Sequence, residues 1–494
     1  MNIIPDGFLK VWIKRIILLL ILAYALLSAI FYRAFAELHI RIFNFDFPVF
    51  ISELLLLFSV LTIVTCHYRN IINWPRKHLL LLIASITFII AKAVHGYISY
   101  GPLALRNAAI FYYAFFAIAG YYLYDREFLT QRAISYLVTI AVLAKFLFNL
   151  NAYYVLPLCL ISLALSLKIK NNFGKIAFVL LSLYLPQFYE PSGLLVFCVR
   201  ASRGRALGQI SAVIFLFIVA IKPVLNKKQQ IFAFAVILLI SLIGVNIYMD
   251  KNSVKSLLDI SGNIVRIKKH FQDIHEREIS LGALELEQRF YKYRNEIPPP
   301  LPLKSSKPAL YVKNIQSRED FQELMEGAFD TEYRIAPKKT KRYRDLDSAY
   351  GNSAFRIFIW IDMVDELIDN KALLGINFGK PQRSHSIEML NWAASEWKRD
   401  GWITPHNSFL HMVYRAGILG IVFICCFFSL FFDLFIRLYA KRDFSGLIII
   451  GIFVYWIIIS NFNVFLEFPY NAIPFWALFG LTIRYSLENK EIKD

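Results

Sequence analysis

Apolar runs of about twenty residues recur from one end of this chain to the other, and a bilayer core about 30 Å thick demands that length of helix for each crossing. About twelve such segments can be drawn: 15–32, 47–66, 78–98, 105–124, 133–150, 152–168, 176–199, 207–222, 231–249, 407–437, 444–462 and 468–485. Inside hydrocarbon every backbone N–H and C=O must find a partner within the protein, so runs of this kind fold as helices. The expected fold class is therefore an all-α polytopic membrane protein of about twelve spans. A large, mostly helical loop would join the ninth span to the tenth. This divides the chain into residues 1–250 with spans one to nine, 251–405 as the loop, and 406–494 with spans ten to twelve. A soluble protein of 494 residues does not carry 57% hydrophobic side chains or a mean hydropathy of +0.50. The first run lacks a small-residue cleavage site after it and reads as a retained helix. The five cysteines, Cys66, Cys159, Cys198, Cys425 and Cys426, all lie in apolar segments. They are expected in the core, with neither a disulfide framework nor metal-ligand spacing.

Lysine and arginine in short loops orient such a chain, because cytoplasmic loops collect them. Lys10, Lys14 and Arg15 open the first segment; Arg69, Arg76 and Lys77 follow the second; Arg126 and Arg132 follow the fourth; Lys168, Lys170 and Lys175 follow the sixth. Lys222, Lys227 and Lys228, then Arg437, Lys441 and Arg442, and finally Arg484 and Lys490 continue the alternation. Both termini are expected in the cytoplasm and the long loop outside. The net charge of +18 is then largely topology and contact with membrane lipids, and no nucleic-acid partner is implied. The informative cations are those on the disfavoured side: Arg106, the cluster Arg200, Arg203 and Arg205, and the lysines Lys92 and Lys145. A charge at a helix centre costs about 2.5–3.5 kcal/mol to insert, so several together imply an anionic partner.

Within the outer loop, 253–296 has apolar residues at helical spacing (Leu257, Leu258, Ile264, Ile267) and is stopped by the proline run at 298–302. Residues 334–344 hold basic side chains without an acid, as a solvated loop, a tether or a surface for an acidic glycan would. From 350 the chain reads as helix again. Arg356 and Trp360, four apart, share one face of a helix expected to end near Gly375. Asp362, Asp365, Glu366 and Asp369 form an acidic stripe on it. No second group of oxygen ligands converges there, so a solvated face is expected and no metal. No phosphate-binding glycine loop, zinc motif or serine elbow occurs.

The stretch from Thr404 to Gly420 takes the chain from a polar loop back into the membrane. Thr404 as N-cap and Pro405 at the first helical position would place His406 and Asn407 in the opening turn of a span running on to 437. Amides at a helix mouth attract anions and oppose a protonated imidazole, so His406 is expected to be a neutral base. His411, about 140° further round, is expected to tolerate alanine. Gly417 and Gly420 are expected to let a neighbouring helix approach closely.

Taken in order, these features resemble a known family. His406-Asn407, nine residues, then Gly417-Ile-Leu-Gly420 resembles the histidine-glycine pattern of O-antigen ligases and protein O-oligosaccharyltransferases. Arg203-Gly-Arg-Ala-Leu207 looks like the ligases' arginine-x3-leucine motif, and Arg356, Trp360 and Leu373-Leu-Gly-Ile-Asn-Phe-Gly379 are similar to the segment ahead of their histidine. O-antigen and capsule polymerases share much of the pattern. Residues 253–347 align to nothing in the family. The resemblance implies a bacterial inner-membrane enzyme with its loop in the periplasm. It would take a glycan from a polyprenyl diphosphate donor and pass it to a hydroxyl of lipid A core or of another glycan, with no cofactor. On that reading His406 is the general base, Arg203, Arg356, Arg106 and Arg205 bind the pyrophosphate, and Asn407, Trp360, Gly417 and Gly420 support them. A lipid-linked glycan flippase is the competing class.

Overall fold

The structure, a computed structural model, describes residues 7–147 apart from 32, 37 and 41–48, then 152–168, 203–216, 218–219, 227–229, 272, 349–390 and 405–488. It is 81% helical. The helices used below are α1 (Phe8–Phe31), α2 (Ile51–Ile72), α3 (Arg76–Tyr100), α4 (Leu103–Tyr112), α5 (Phe115–Leu123), α6 (Gln131–Leu147), α7 (Ala152–Lys168) and α8 (Arg203–Leu216). They continue with α9 (Ala349–Asp369), α10 (His385–Met389), α11 (Ser408–Ala416), α12 (Ile418–Ala440), α13 (Phe444–Ser460) and α14 (Pro469–Glu488). Among the described residues the sheet content is one antiparallel pair, His39–Ile40 with Val49–Phe50.

Among the described residues four helices are long and apolar enough to cross a membrane: Phe8–Phe31, Ile51–Ile72, Leu79–Tyr100 and Ile418–Ala440. A fifth is formed if α4 and α5, bent by 40° at Tyr113 and Ala114, count as one. This defines an all-α membrane protein. The expected spans at 176–199 and 231–249, and the loop from 251 to 348 but for residue 272, lie outside the described residues. Large apolar side chains face outward on the candidate spans, such as Ile98 at 79% exposure and Ile436 at 61%. In water that would cost about 25 cal/mol per Å², whereas a lipid surface favours it. Cys425 and Cys426 lie on the same outward surface, which corrects their assignment to the core. Cys159 is buried, and Cys198 lies outside the described residues.

The centre is built by α5, α12, α13 and α14. Gly120 on α5 abuts Ala477, and Gly480 on α14 abuts Ala117, so closely that a Cβ on either would strike the opposing carbonyl. Small residues at a crossing let helix backbones approach where lipid offers no hydrophobic drive for association. Around this seam Phe431, Phe475 and Phe479 pack edge to face with Phe453, as in Phe453 against Phe475 at 5.4 Å and 85°. Edge-to-face pairs add about 0.5–1.5 kcal/mol each beyond burial.

The bundle has two chemically distinct ends. At one, Arg15 pairs with Asp125 at 2.6 Å and Glu127 at 2.9 Å, and the Trp74 indole donates to the Tyr122 hydroxyl at 2.8 Å. Lys441 there donates to the carbonyl of Ser486. At the other end the segment after α9 folds onto the bundle: the Gly379 amide donates to Asn107 Oδ1 at 2.7 Å and Ile376 N to Tyr414 O at 2.7 Å. Helix α9 stops at Asp369, ahead of the expected end near Gly375. A turn through Lys371, whose φ is +47°, then carries the chain to Gly375.

The expected continuous span from 407 to 437 is two helices. Helix α11 ends at Gly417, φ +58°, and α12 starts at Ile418. A Cβ at Gly417 would collide with the carbonyl of Leu373, so glycine is needed both for the left-handed backbone and for this contact. Gly420 meets the carbonyl of Met412 on α11. Both glycines therefore fold the break itself, in place of the expected approach of a separate helix.

Candidate functional site

His406 stands outside its helix. The N-cap of α11 is Asn407, whose side-chain oxygen accepts the Leu410 amide at 3.0 Å. An asparagine side chain satisfies one of the open amides of the first turn, so the helix begins at Ser408, two residues after His406, and the Thr404-Pro405 start is corrected. Thr404 lies outside the described residues. His406 has φ +56°, the left-handed region, which costs a non-glycine residue about 1–2 kcal/mol. Neighbouring contacts have to hold such a turn in place.

Helix α9 supplies them. Trp360 Nε1 donates to the carbonyl of Pro405 at 2.8 Å, and its ring lies 6.5 Å from that of Phe462. One helical turn earlier, Arg356 Nη1 donates to the carbonyl of Phe462 at 2.6 Å. The spacing of four residues thus puts an indole and a guanidinium side by side, one on the turn carrying His406 and the other on the loop between α13 and α14. Arg356 Nε and Asn463 Nδ2 are buried with no hydrogen-bond partner among the described residues. At the far end of that loop the Arg106 guanidinium lies 5.5 Å from the centre of the Phe468 ring. Helix α8 runs antiparallel along α13, with Gly208 against Tyr455 and Leu216 against Gly451. The backbone of Arg203 and Arg205 therefore begins at the end of α13 from which the loop departs. The side chains of Arg203 and Arg205 lie outside the described residues.

A buried charged group beside this turn was not anticipated. Arg415 is 1% exposed. It donates from Nε to His411 Nε2 at 3.2 Å, from Nη1 to Asn377 O at 2.7 Å and from Nη2 to Lys380 O at 3.0 Å. His411 Nδ1 lies 3.1 Å from Glu467 Oε1, and Ser408 Oγ lies 2.6 Å from Glu467 Oε2. Burial pushes the His411 imidazole below its usual pKa; Glu467 opposes that, and Arg415 and Arg106 add to it. His411 is thus buried and bonded at both ring nitrogens, where the sequence suggested a position open to alanine. The available signal was Arg415 inside an apolar run, a charge that is expensive there unless paired.

Lys92 also departs from expectation. Its ammonium donates to the carbonyls of Leu374 and Arg415, and to Gly375 O at 3.1 Å, so backbone oxygens take the place of an anion. Lys145's side chain lies outside the described residues. The acidic stripe on α9 divides. Asp362 accepts from Ser386 N at 2.9 Å and Ser386 Oγ at 2.7 Å, and Glu366 pairs with Lys380 at 2.7 Å and accepts from Tyr414 Oη at 2.5 Å. Asp365 and Asp369 are exposed. Among the described residues no group of three histidine, cysteine or acidic side chains could hold a metal ion.

What the fold and site define is a helical membrane protein with cationic and polar side chains gathered at one end of its bundle. No protein-family model matches the chain, and no curated protein matches it.

Proposed function

We propose that this chain is an O-antigen ligase-like glycosyltransferase of a bacterial inner membrane. It would move a glycan from polyprenyl diphosphate to a hydroxyl of lipid A core at the periplasmic face, with both termini cytoplasmic. The observation that carries the reading is the joint reach of α9: Trp360 holds Pro405, ahead of His406, while Arg356 holds Phe462 and keeps a buried N–H that no described residue accepts. The strained turn that carries His406 and the loop that begins at Phe462 are thereby held by one helix.

The chemistry follows from those parts. The acceptor hydroxyl attacks the anomeric carbon as the bond to the diphosphate oxygen breaks, and the pyrophosphate leaves with growing negative charge. Guanidinium forks fixed in advance stabilise that charge better than mobile ammonium groups. Arg356 and Arg203 take this role, with Arg106 and Arg205 beside them. His406 accepts the hydroxyl proton as the new bond forms, which requires it neutral at working pH.

Reconstitution with a polyprenyl diphosphate glycan, with and without lipid A core, tests the reading by product size. Glycan-capped core supports a ligase. Extension of the donor glycan without core would make the enzyme a polymerase, and movement of the donor between leaflets without transfer would make it a flippase.

A further inference from the structure

The hydrogen bonds around His411 fix its protonation. A guanidinium has donors and no acceptor, so the nitrogen that meets Arg415 Nε at 3.2 Å must carry the lone pair. The proton then resides on Nδ1 and is donated to Glu467 Oε1 at 3.1 Å. Both ring nitrogens are occupied, and the ring is a neutral bridge between a buried cation and a buried carboxylate. Arg415 is 1% exposed, His411 1% and Glu467 3%.

Glu467's second oxygen continues the chain. Ser408 Oγ has one proton; Glu467 Oε2 at 2.6 Å is nearer than Asn463 O at 3.3 Å and is charged, so the proton goes to the carboxylate. The same hydroxyl oxygen accepts the amides of Phe465 and Leu466, both at 3.1 Å. Ser408 is two residues after His406 and opens α11. The loop between α13 and α14 is thus gripped at both ends: at Phe462 by Arg356 and Trp360, and at residues 465–467 by Ser408 and His411. Both grips lead to the turn that carries His406.

We propose that Arg415, His411, Glu467 and Ser408 form a positioning relay that holds His406 in register with Arg356, with Glu467 as its key member and no proton transferred along it. The kinetic half of this inference rests on the glycosyltransferase reading; the structural half does not.

The test uses the full-length protein, purified and reconstituted. Glu467→Gln keeps shape and removes charge, and Ser408→Ala is a milder break in the same chain. Each is expected to lower kcat for glycan transfer by about 10–100-fold, with donor KM within about threefold. Added to His406→Ala, Glu467→Gln should cost nothing more, because both act through one group. His411→Gln offers one acceptor and one donor, as the neutral ring does, and is expected to retain clearly more activity than His411→Leu. Equal loss in the two His411 variants, or full additivity with His406→Ala, would overturn the relay. A substrate-free readout is the rate at which diethyl pyrocarbonate modifies His406, followed by mass spectrometry. It is expected to change several-fold in Glu467→Gln and Ser408→Ala and to stay constant in Asp369→Asn, an exposed control. Unchanged His406 reactivity in both relay variants would refute positioning. Changed reactivity in a protein whose wild type transfers no glycan would keep the relay and discard the glycosyltransferase.

Discussion

The indole of Trp360 donates to the carbonyl of Pro405 at 2.8 Å, so a helix from one part of the chain holds the peptide unit just ahead of His406 in another. Trp360→Phe removes that donor and keeps the ring against Phe462. Losing one partner of a buried hydrogen bond costs about 1–3 kcal/mol. The variant is expected to fold and to transfer glycan at least tenfold more slowly, measured as kcat beside a thermal melt in detergent. A normal rate would mean that the turn needs no support from α9.

Arg356 carries a second expectation. Arg356→Ala and Arg203→Ala are each expected to reduce transfer by about 10²–10³, the typical cost of one charge-stabilising donor. Lysine is expected to rescue poorly, since it offers a point charge in place of a planar fork. Steady-state transfer by membrane-inserted variants decides this. Normal rates in both alanine variants would place the pyrophosphate elsewhere.

Gly417→Ala probes the break between α11 and α12. At φ +58° and ψ −131° the backbone lies where glycine alone sits readily, at a cost to alanine of about 1–3 kcal/mol, and the methyl would also press on the Leu373 carbonyl. A clear fall in Tm is expected. Gly101, whose φ is +78° and where a Cβ would have nothing within 4 Å, separates backbone strain from the contact. An unshifted melt for Gly417→Ala would argue for an unbroken helix.

Hydropathy made the membrane class legible, because a lipid-facing helix has to be apolar over a set length whatever its neighbours are. The pairing of Arg356 with Trp360 was legible for a similar reason: a spacing of four fixes a shared face in any helix. What the sequence hid was contact between distant segments. Arg415 sits inside an apolar run and Glu467 in a short loop, and nothing local marks them as the two ends of one buried bridge through His411. Gly417 reads as a helix-packing residue because the backbone it has to clear, at Leu373, is forty-four positions away in the chain. Lys92 was legible as an anomaly, but carbonyls contributed by a turn leave no pattern of side chains to read.

The His411 bridge predicts a pH dependence of stability. Its folded-state pKa lies below the unfolded value of 6.5, chiefly through burial. Above that value neither state binds the proton and the contribution of the site is complete. As pH falls below it, the unfolded chain takes up a proton that the folded site refuses, and stability declines. Melts of the wild type are expected to weaken from about pH 6.5 downward, and His411→Gln should flatten that limb. Glu467→Gln weakens the charge-assisted bonds that His411 and Ser408 make to the carboxylate and is expected to cost about 1–3 kcal/mol at any pH. An identical acid limb in His411→Gln would assign the titration to another group.

His406 carries the chemical prediction. If it accepts the proton of the attacking hydroxyl, His406→Ala should lower turnover by about 10²–10⁴ and leave donor binding intact, because the arginines proposed to hold the pyrophosphate are separate side chains. His406→Gln keeps a hydrogen bond but cannot take up a proton, and is expected to fail like alanine. His406→Gly is a further probe, since glycine adopts the observed φ of +56° without strain. It should melt no lower than His406→Ala while remaining as inactive, separating backbone strain from chemistry. The proton must leave His406 between turnovers, so activity should be flat through neutral pH and fall on the acid side as the imidazole becomes charged. Donor binding and transfer have to be measured on the same preparation of each variant. Loss of binding, with normal chemistry on whatever donor remains bound, would make His406 an anchor for substrate and leave the base to be found elsewhere.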